Sequence, residues 1–388
     1  MITARVARLL PLRRVLGSAL IAIALAGCGG GAKRSTQPPA PSTTTAFVTT
    51  SQSNGSVQAG FEPASFTAVS ANDYWLLGTV PCATGRCPAI VGTSDGGGSF
   101  TSIPAPALPS AGPTSPRLRF ADRRDGFAFV PGTDGVFLAT HDGGATWHSP
   151  GLTTVLAFAT GGGNAYTVTG QCTPKRCTAY RFERSPVSAD AWRATAMPFE
   201  PGSSALDLSA HGSNVWLLGS PTTQPNSGND LLARSTNGGR TFVTGPGPCS
   251  YELGGTLEPT FAGAVWAVCP TGMLAGAWRS VDGGRTFAHL DTPALANSAA
   301  LAPASRDTAV LDRNGAGSHL LRTTDAGATW TTPVTPRAAP FVPWVGFTDA
   351  NVGAALVQTG YDASAKIERQ VLWRTTDGGA TWSTVRIR

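Results

Sequence analysis

The sequence predicts an all-β chain folded as a seven-bladed β-propeller of four-stranded antiparallel blades. Three observations carry this prediction. Charged residues make up only 13% of the 388 positions, while Gly and Pro number 47 and 30, a composition typical of turn-rich β proteins rather than of helical bundles. An octapeptide ending in an aromatic residue occurs six times at near-regular spacing. A strand–turn–strand pattern precedes the octapeptide in each repeat.

The N-terminus has the pattern of an export signal. Four arginines lie within residues 1–14 and a short apolar run follows over 15–27, which predicts a signal peptide over 1–27. The run ends Leu-Ala-Gly-Cys28 and resembles the lipobox of bacterial lipoproteins, in which this cysteine becomes the first residue and receives a diacylglycerol. An ordinary signal peptide that happens to contain a cysteine is the alternative. The resemblance implies lipidation of Cys28 and an extracytoplasmic protein of the bacterial cell envelope, attached to the membrane by its lipid.

A Ser/Thr/Pro-rich stretch over 28–58 predicts a tether, and the propeller is expected over 59–388. The net charge of +6 comes from the leader, because residues 1–34 hold six of the 29 basic residues and no acidic one. The remaining 23 basic residues balance the 23 acidic ones. The balance excludes the basic field that a nucleic-acid-binding surface needs.

The octapeptide has the pattern Ser/Thr-x-Asp/Asn-x-Gly-x-Ser/Thr-Phe/Trp. Its third position is occupied by Asp95, Asp142, Asn237, Asp282, Asp325 and Asp377. The step of 95 residues between the second and third copies is about twice the average spacing of 47. A degraded copy is therefore expected near residue 190, where the chain reads Ser188-Ala-Asp190-Ala-Trp192. Seven repeats predict seven blades.

The residue types of the octapeptide are those of a hairpin turn. Asp or Asn bonds nearby backbone, Gly supplies positive φ, and the closing ring packs between sheets. We therefore interpret the six acidic or amide residues as turn caps and Trp147, Trp330 and Trp382 as packing residues. The octapeptide resembles the Asp box, or bacterial neuraminidase repeat, of sialidases, sortilin-type receptors, xyloglucanases and photosystem II assembly factors. The resemblance implies the architecture and leaves the ligand open.

The element before the box completes each blade. It reads as a short strand, a polar turn and a second strand over 66–78, 118–129, 206–219, 261–268 and 345–357, with weaker copies over 156–168 and 301–311. Together with the two strands that flank the box, it forms a four-stranded meander. The strand–turn–strand element followed by the box is most similar to the repeat of photosystem II assembly factors.

Six cysteines remain after Cys28, an even number that fits an oxidising compartment. Fifteen pairings are open, but Cys82/Cys87 and Cys172/Cys177 occupy equivalent CxxxxC loops. Their positions suggest two local disulfides and leave Cys249 with Cys269. The alternative is a metal site, for which five-residue cysteine spacing without a nearby histidine is unsuitable. The five histidines at 141, 148, 211, 289 and 319 are scattered, so no metal site and no cofactor are expected.

No residue is assigned a catalytic role. Sialidases carry an Arg-Ile-Pro phrase near the N-terminus, an arginine triad and a tyrosine nucleophile, and this chain has no such phrase and only five tyrosines. A glycosidase requires two carboxylates at a fixed separation. The sequence therefore favours a binding or assembly module, with a sialidase-like, carbohydrate-active hydrolase on the same scaffold as the alternative. Two carboxylates or an arginine cluster converging at the central channel would favour the hydrolase.

The face opposite the boxes is the expected binding surface. Turns of a meander alternate between faces, and the second-to-third connections and blade-to-blade connections are long, over 80–89, 101–117, 170–178, 219–230, 243–258 and 359–370. Variable loops on a rigid scaffold are where binding usually resides. The candidate binding residues are Arg86, Lys175, Asp230, Tyr251, Glu252, Tyr361, Asp362 and Glu368. An envelope protein or a glycan is the expected partner.

Overall fold

Antiparallel sheets account for the regular structure of the chain. The computed structural model describes residues 55–83, 85–109, 115–132, 136–152, 154–173, 176–260, 263–296, 299–314, 320–337, 341–363 and 367–388. The signal peptide over 1–27, Cys28, the tether up to residue 54 and Lys175 lie outside these residues. Within the described ranges, no helical segment combines the length and the apolar character needed to traverse a bilayer.

Seven sheets follow one another along the chain, as the repeats predict. The first three are formed by β1 (Glu62–Ala68), β2 (Tyr74–Cys82), β3 (Gly85–Thr93) and β4 (Thr101–Ile103); by β5 (Arg117–Phe120), β6 (Gly126–Phe129) and β7 (Phe137–Thr140); and by β8 (Thr154–Gly161), β9 (Asn164–Cys172), β10 (Cys177–Pro186) and β11 (Arg193–Thr195). The next two are formed by β12 (Pro201–His211), β13 (Asn214–Pro221), β14 (Asn229–Ser235) and β15 (Val243–Ser250), and by β16 (Thr256–Pro259), β17 (Val265–Pro270), β18 (Leu274–Ser280), β19 (Ala288–His289) and β20 (Leu295–Ala296). The last two are formed by β21 (Ala300–Pro303), β22 (Ala309–Asp312) and β23 (Leu320–Thr323), and by β24 (Phe341–Phe347), β25 (Gly353–Asp362), β26 (Ile367–Thr375) and β27 (Ser383–Val385).

The predicted seven-bladed propeller is confirmed, with three departures from four strands per blade. In the second and sixth blades the outer strand is reduced to a single bridge, Ala139 with His148 and Arg322 with Thr331. In the fifth blade β20 adds a further strand against β18. The third blade exists although its box is degraded, and Trp192 packs edge-on against Phe137 of the second blade.

The first strands of successive blades contact one another, as in β1 with β5, β8 with β12, and β12 with β16. They therefore surround the centre of the ring, and the apolar cores lie between neighbouring sheets. At one such interface Trp75 stacks on Phe120 with ring centroids 4.1 Å apart. The box residue Trp147 completes this core, and its Nε1–H donates to Pro104 O at 3.0 Å.

The boxes share one hydrogen-bond pattern. In the last copy, Thr375 Oγ1 donates to Asp377 Oδ1 at 2.8 Å and accepts from the N–H of Gly379 at 3.0 Å. Asp377 also accepts from the N–H and the hydroxyl of Thr381 at 2.9 and 2.6 Å. Burial alone would raise the pKa of Asp377, but these hydrogen bonds hold it at about 2. The carboxylate is saturated by its own turn, as the turn-cap interpretation expects.

Three disulfides join the pairs that the position-matched loops suggested: Cys82–Cys87, Cys172–Cys177 and Cys249–Cys269. The first two close the ends of the β2–β3 and β9–β10 hairpins. The third links β15 of the fourth blade to β17 of the fifth, and both of its cysteines are fully buried. Disulfides of this kind are typical of an oxidising, extracytoplasmic compartment.

Several connections expected to be irregular loops are strand. Residues 243–258 contain all of β15 and the start of β16, so the prediction of a loop there is wrong. Most of 80–89, 170–178 and 359–370 consists of strand ends that continue past the blade as hairpins. The apolar alternation that predicts a strand is weak in these segments, which explains the difference.

Candidate functional site in the central channel

Charged side chains gather where the innermost strands surround the centre of the ring. Arg117 and Arg119 lie on β5 of the second blade, Asp207 on β12 of the fourth, and Glu258 on β16 of the fifth. Both arginines and Glu258 are exposed to solvent, while Asp207 is half-buried. They border the central channel from three different blades.

Strand register relates the positions of these charged residues to positions that form hydrogen bonds between blades. The first and fourth blades use the corresponding positions to bond the next blade. Ser65 Oγ accepts from the Leu118 N–H at 3.1 Å, and Thr67 Oγ1 accepts from the Phe120 N–H at 3.0 Å. These two positions on the first strand therefore link the first blade to the second around the channel.

The link from the fourth blade to the fifth is a variant of the same pattern. Asp207 Oδ2 accepts from the Leu257 N–H at 3.0 Å. Pro259 lacks an N–H where Phe120 has one, and Ser209 instead donates to Leu257 O at 2.7 Å. Asp207 thus has a structural role as well as a charge.

In the second and fifth blades the corresponding positions carry the charged residues. Arg117 and Arg119 correspond by register to Ser65 and Thr67. Glu258 corresponds to Thr67 in the same way. Arg119 reaches the third blade, where its Nε–H donates to Thr160 Oγ1 at 3.3 Å.

The channel raises the pKa values of Glu258 and Asp207 by different amounts. Solvent reaches them, but protein walls surround them, so they are less hydrated than carboxylates on the outer surface. This burial raises the pKa of Glu258 to about 8; the charge of Asp207 adds to the effect, and Arg119 opposes it. Burial likewise raises the pKa of Asp207 to about 6, against the hydrogen bonds from Leu257 and Ser209 and the charge of Arg117.

The raised pKa of Glu258 favours its protonated form at neutral pH, whereas the smaller rise for Asp207 favours the ionised form beside two guanidinium groups. Burial also lowers the pKa of Arg119, which the charge of Glu258 opposes. Such a set can donate hydrogen bonds to a carboxylate or a hydroxyl and can accept them through Asp207. It also pairs an acid with a base.

The candidate residues of the fourth-blade loop lie together but serve the loop itself. Asp230 is fully buried, and its Oδ1 accepts from Ser220 Oγ at 2.7 Å and from the Glu252 N–H at 3.2 Å. Burial raises the pKa of Asp230. The Tyr251 hydroxyl donates to Pro221 O at 3.2 Å, and Glu252 has a φ of 67°. Of these three, only the Glu252 side chain is exposed.

A second group lies on the β25–β26 hairpin of the seventh blade. Tyr361 pairs in register with Glu368 and is 60% exposed, and Asp362 forms an ion pair with Arg369 at 2.8 Å. Arg86 lies on the β2–β3 hairpin of the first blade, where it donates to Thr79 O and Gly60 O at 2.7 and 2.8 Å. The described candidate residues thus lie on three blades, the first, the fourth and the seventh.

The sequence reasoning missed the channel residues. Their signal is a charge flanked by apolar residues on the first strand of a blade, as in Leu118-Arg119-Phe120 and Leu206-Asp207-Leu208. In an isolated strand such alternation indicates an ordinary solvent-facing residue. Only the closed ring turns that exposed side toward a channel.

The histidines are not all scattered, contrary to the expectation. His141 is the second residue of the box of the second blade and His148 directly follows that box. The fold brings both to Asp190 in the degraded box of the third blade. Sequence separation hid this group, because Asp190 belongs to a different repeat.

No protein-family model and no curated protein matches the chain. Among solved structures, YCF48 from Cyanidioschyzon merolae is similar at 14% identity and a TM-score of 0.50, over 84% of this chain and 98% of that chain. YCF48 bound to D1 peptide is similar at 15% identity and 0.49, over 84% and 99% of the two chains. A GH74 enzyme from Niastella koreensis is similar at 12% identity and 0.42, over 84% of this chain. The match spans 65% of that enzyme's length, less than two thirds. At these identities the likeness shows the fold alone.

Proposed function

We propose that this chain is a lipid-anchored, extracytoplasmic binding module whose ligand enters the central channel and contacts Arg119 and Glu258. The main support is that charged side chains from three blades converge in the channel. They occupy first-strand positions that in the first blade form hydrogen bonds to the next blade. Thr67 at the matching position uses its hydroxyl oxygen in an interblade hydrogen bond, whereas Arg119 uses only its Nε–H, in a 3.3 Å bond to Thr160 of the third blade, among the described residues. Its remaining N–H groups are available to a ligand.

The chemistry of the channel favours a ligand that carries a carboxylate beside other hydrogen-bonding groups. A guanidinium recognises a carboxylate through paired N–H donors, and a protonated Glu258 adds a donor. Asp207 opposes a second negative charge at its own position. A peptide segment of an envelope protein or an acidic glycan fits this description.

The binding proposal is tested with carboxylate-bearing peptides and acidic oligosaccharides of known sequence, measured by fluorescence polarisation. Arg119→Ala should weaken binding of any ligand found by at least about tenfold, since a charged hydrogen bond contributes about 1.5–3 kcal/mol. Arg240→Ala removes an equal charge from a box turn and is the matched control. Binding that Arg119→Ala leaves unchanged and Arg240→Ala removes would overturn the proposal.

The lipid anchor rests on the Leu-Ala-Gly-Cys28 phrase and on the disulfides that fit an exported chain. The described chain begins at Gly55, whose carbonyl accepts from the Ser102 N–H of β4 at 2.9 Å. The tether therefore meets the propeller at the outer edge of the first blade. Cys28→Ala should release the protein from membranes or stall its processing, while Cys82→Ala should not. Membrane-bound protein with an unmodified Cys28 would contradict the anchor.

One observation favours a hydrolase as a second candidate. Glycosidases pair a carboxylic acid of raised pKa with an ionised carboxylate. Glu258, with a pKa of about 8, corresponds to the acid, and Asp207, with a pKa of about 6, corresponds to the carboxylate. A hydrolase would release product from a defined oligosaccharide, and Glu258→Gln would abolish release while preserving binding. Binding without release by the wild-type chain would support the module and reject the hydrolase.

A further inference from the structure

A group of metal-ligating side chains lies away from the channel, on the box face between the second and third blades. It comprises His141, His148 and Asp190, and one nitrogen or oxygen atom of each lies within 4.8 Å of the others. His141 Nε2 lies 3.5 Å from Asp190 Oδ2, and His148 Nε2 contacts the same oxygen. Two ligands of one tetrahedral zinc ion, each ~2.0–2.1 Å from it, lie ~3.3 Å apart.

The box turn itself assembles the two histidines. His148 pairs through its backbone with Ala139, two residues before His141, so both rings stand at one end of the hairpin. Their centroids are 5.5 Å apart. The corresponding positions of the last box hold Thr376 and Ser383, so the turn does not require histidine there.

A fourth residue, Asp125, orients the His141 ring so that its other nitrogen can bind a cation. Asp125, which is buried, accepts from His141 Nδ1 at 2.7 Å. Because a carboxylate only accepts, this bond places the ring proton on Nδ1 and leaves a lone pair on Nε2, the atom that lies 3.5 Å from Asp190 Oδ2. Among the described residues, no hydrogen-bond partner satisfies His141 Nε2, although solvent does not reach it. Carboxylates that orient metal-bound histidines make this contact.

We infer that His141, His148 and Asp190 bind a divalent metal ion of the zinc type, with Asp125 as the positioning residue. Two imidazoles and one carboxylate suit zinc and its neighbours rather than calcium or magnesium, which prefer all-oxygen sites. Three protein ligands leave one position for water or for a ligand atom, and the exposed His148 and Asp190 place it at the surface. Because Asp190 belongs to another blade, the ion would also cross-link the second and third blades.

The test is isothermal titration of the full-length protein with zinc chloride after removal of metal by EDTA. One zinc per chain should bind, and magnesium chloride should produce no saturable heat. His141→Ala and His148→Ala should each lower the affinity by at least about a hundredfold. Asp125→Asn should lower it by about ten- to a hundredfold, as expected of an outer partner. His289→Ala, an exposed histidine beside another box, should change nothing.

Cobalt(II) gives a second readout that does not depend on affinity. Bound cobalt should give visible absorption bands of a low-coordinate site, and His148→Ala should remove them while the circular dichroism stays native. If the cluster is only a set of ion pairs, zinc will not saturate and these substitutions will change stability equally with and without zinc. That result, or zinc binding unaffected by His141→Ala and His148→Ala, would overturn the proposal.

Discussion

At the residue scale, one box carries a detectable imperfection. The fourth box position is glycine in five copies, with φ of 67–77°, but it is Ala326 in the copy of the sixth blade, with φ of 65°. A side chain in this left-handed region costs about 1–2 kcal/mol. The hydrogen bonds of the box therefore hold Ala326 in a conformation that only glycine adopts freely.

Replacing Ala326 by glycine should stabilise the protein by roughly 1 kcal/mol, because the relief of backbone strain exceeds the entropy that glycine loses. The converse change, Gly378→Ala, should destabilise by about 1–2 kcal/mol, since its Cβ would also lie 3.0 Å from Ala350 O. Thermal melts of both variants measure the difference. Shifts of the same sign would contradict the argument.

The channel carboxyls give a pH dependence whose sign can be worked out. The pKa of Glu258 is about 8 in the folded chain, above its ordinary 4.5, so the folded state holds a proton that the unfolded state releases. Stability from this group is full below about pH 4.5 and is lost as pH rises through 8. Asp207 acts in the same direction at lower pH, with a folded pKa of about 6.

Glu258→Gln should therefore flatten the decline in melting temperature between about pH 4.5 and pH 8. Glu368→Gln, which removes an exposed carboxylate from the β25–β26 hairpin, is the control and should leave the decline as it is. Melting curves at constant ionic strength check both variants. An unaltered slope in Glu258→Gln would show that the carboxyl is ionised in the folded channel at pH 7.

At the scale of elements, the sequence repeat predicts the blades well and predicts their outer strands less well. Six intact boxes place the third and fourth strands, and the strand–turn–strand phrase places the first two, so even the blade with a degraded box was found. The outer strands at His148 and Thr331 shrink to single bridges, because a rim strand is held by one neighbour only. Segment 243–250 forms β15 despite two prolines and two glycines, because an edge strand tolerates proline.

The candidate site was less predictable than the blades for a related reason. Spacing along the chain identifies local turns and the CxxxxC hairpins. The channel residues and the histidine cluster each join different repeats, and only the closed ring brings them together.

The disulfides differ in what they hold. Cys249–Cys269 joins two blades with a sequence separation of 20, whereas Cys82–Cys87 closes a hairpin with a separation of 5. Chain-entropy arguments give ~3 kcal/mol for the longer loop and ~2 kcal/mol for the shorter. Replacing Cys249 and Cys269 together by alanine should also leave a cavity, so it should lower stability by more than the Cys82/Cys87 double variant does. Denaturant unfolding under non-reducing conditions measures the order, and the reverse order would contradict it.

At the scale of the whole molecule, the described residues show how the first and seventh blades meet. Among them, every blade is built from one continuous segment, and these two blades share no strand but contact each other through side chains and a few hydrogen bonds. Phe66 stacks on Trp344 with centroids 4.7 Å apart, and Glu62 accepts from the Gln370 N–H at 3.3 Å. Arg374 donates to Ala71 O at 3.1 Å. The other interfaces have in addition a chain connection between their blades.

The closure interface should consequently open at a lower free energy than the rest of the ring. In hydrogen exchange, amides of β1 and β26 should exchange faster than those of β13, whose blade has connected neighbours on both sides. Phe66→Ala should accelerate exchange in β1 and β26 selectively and cost about 3–5 kcal/mol, as the loss of a buried aromatic ring does. Phe120→Ala removes a comparable ring from the connected interface of the first two blades, and it should cost a similar free energy without speeding exchange in β26. Equal acceleration in all seven blades by either variant would instead show that the ring opens as one cooperative unit, with no weaker point at its closure.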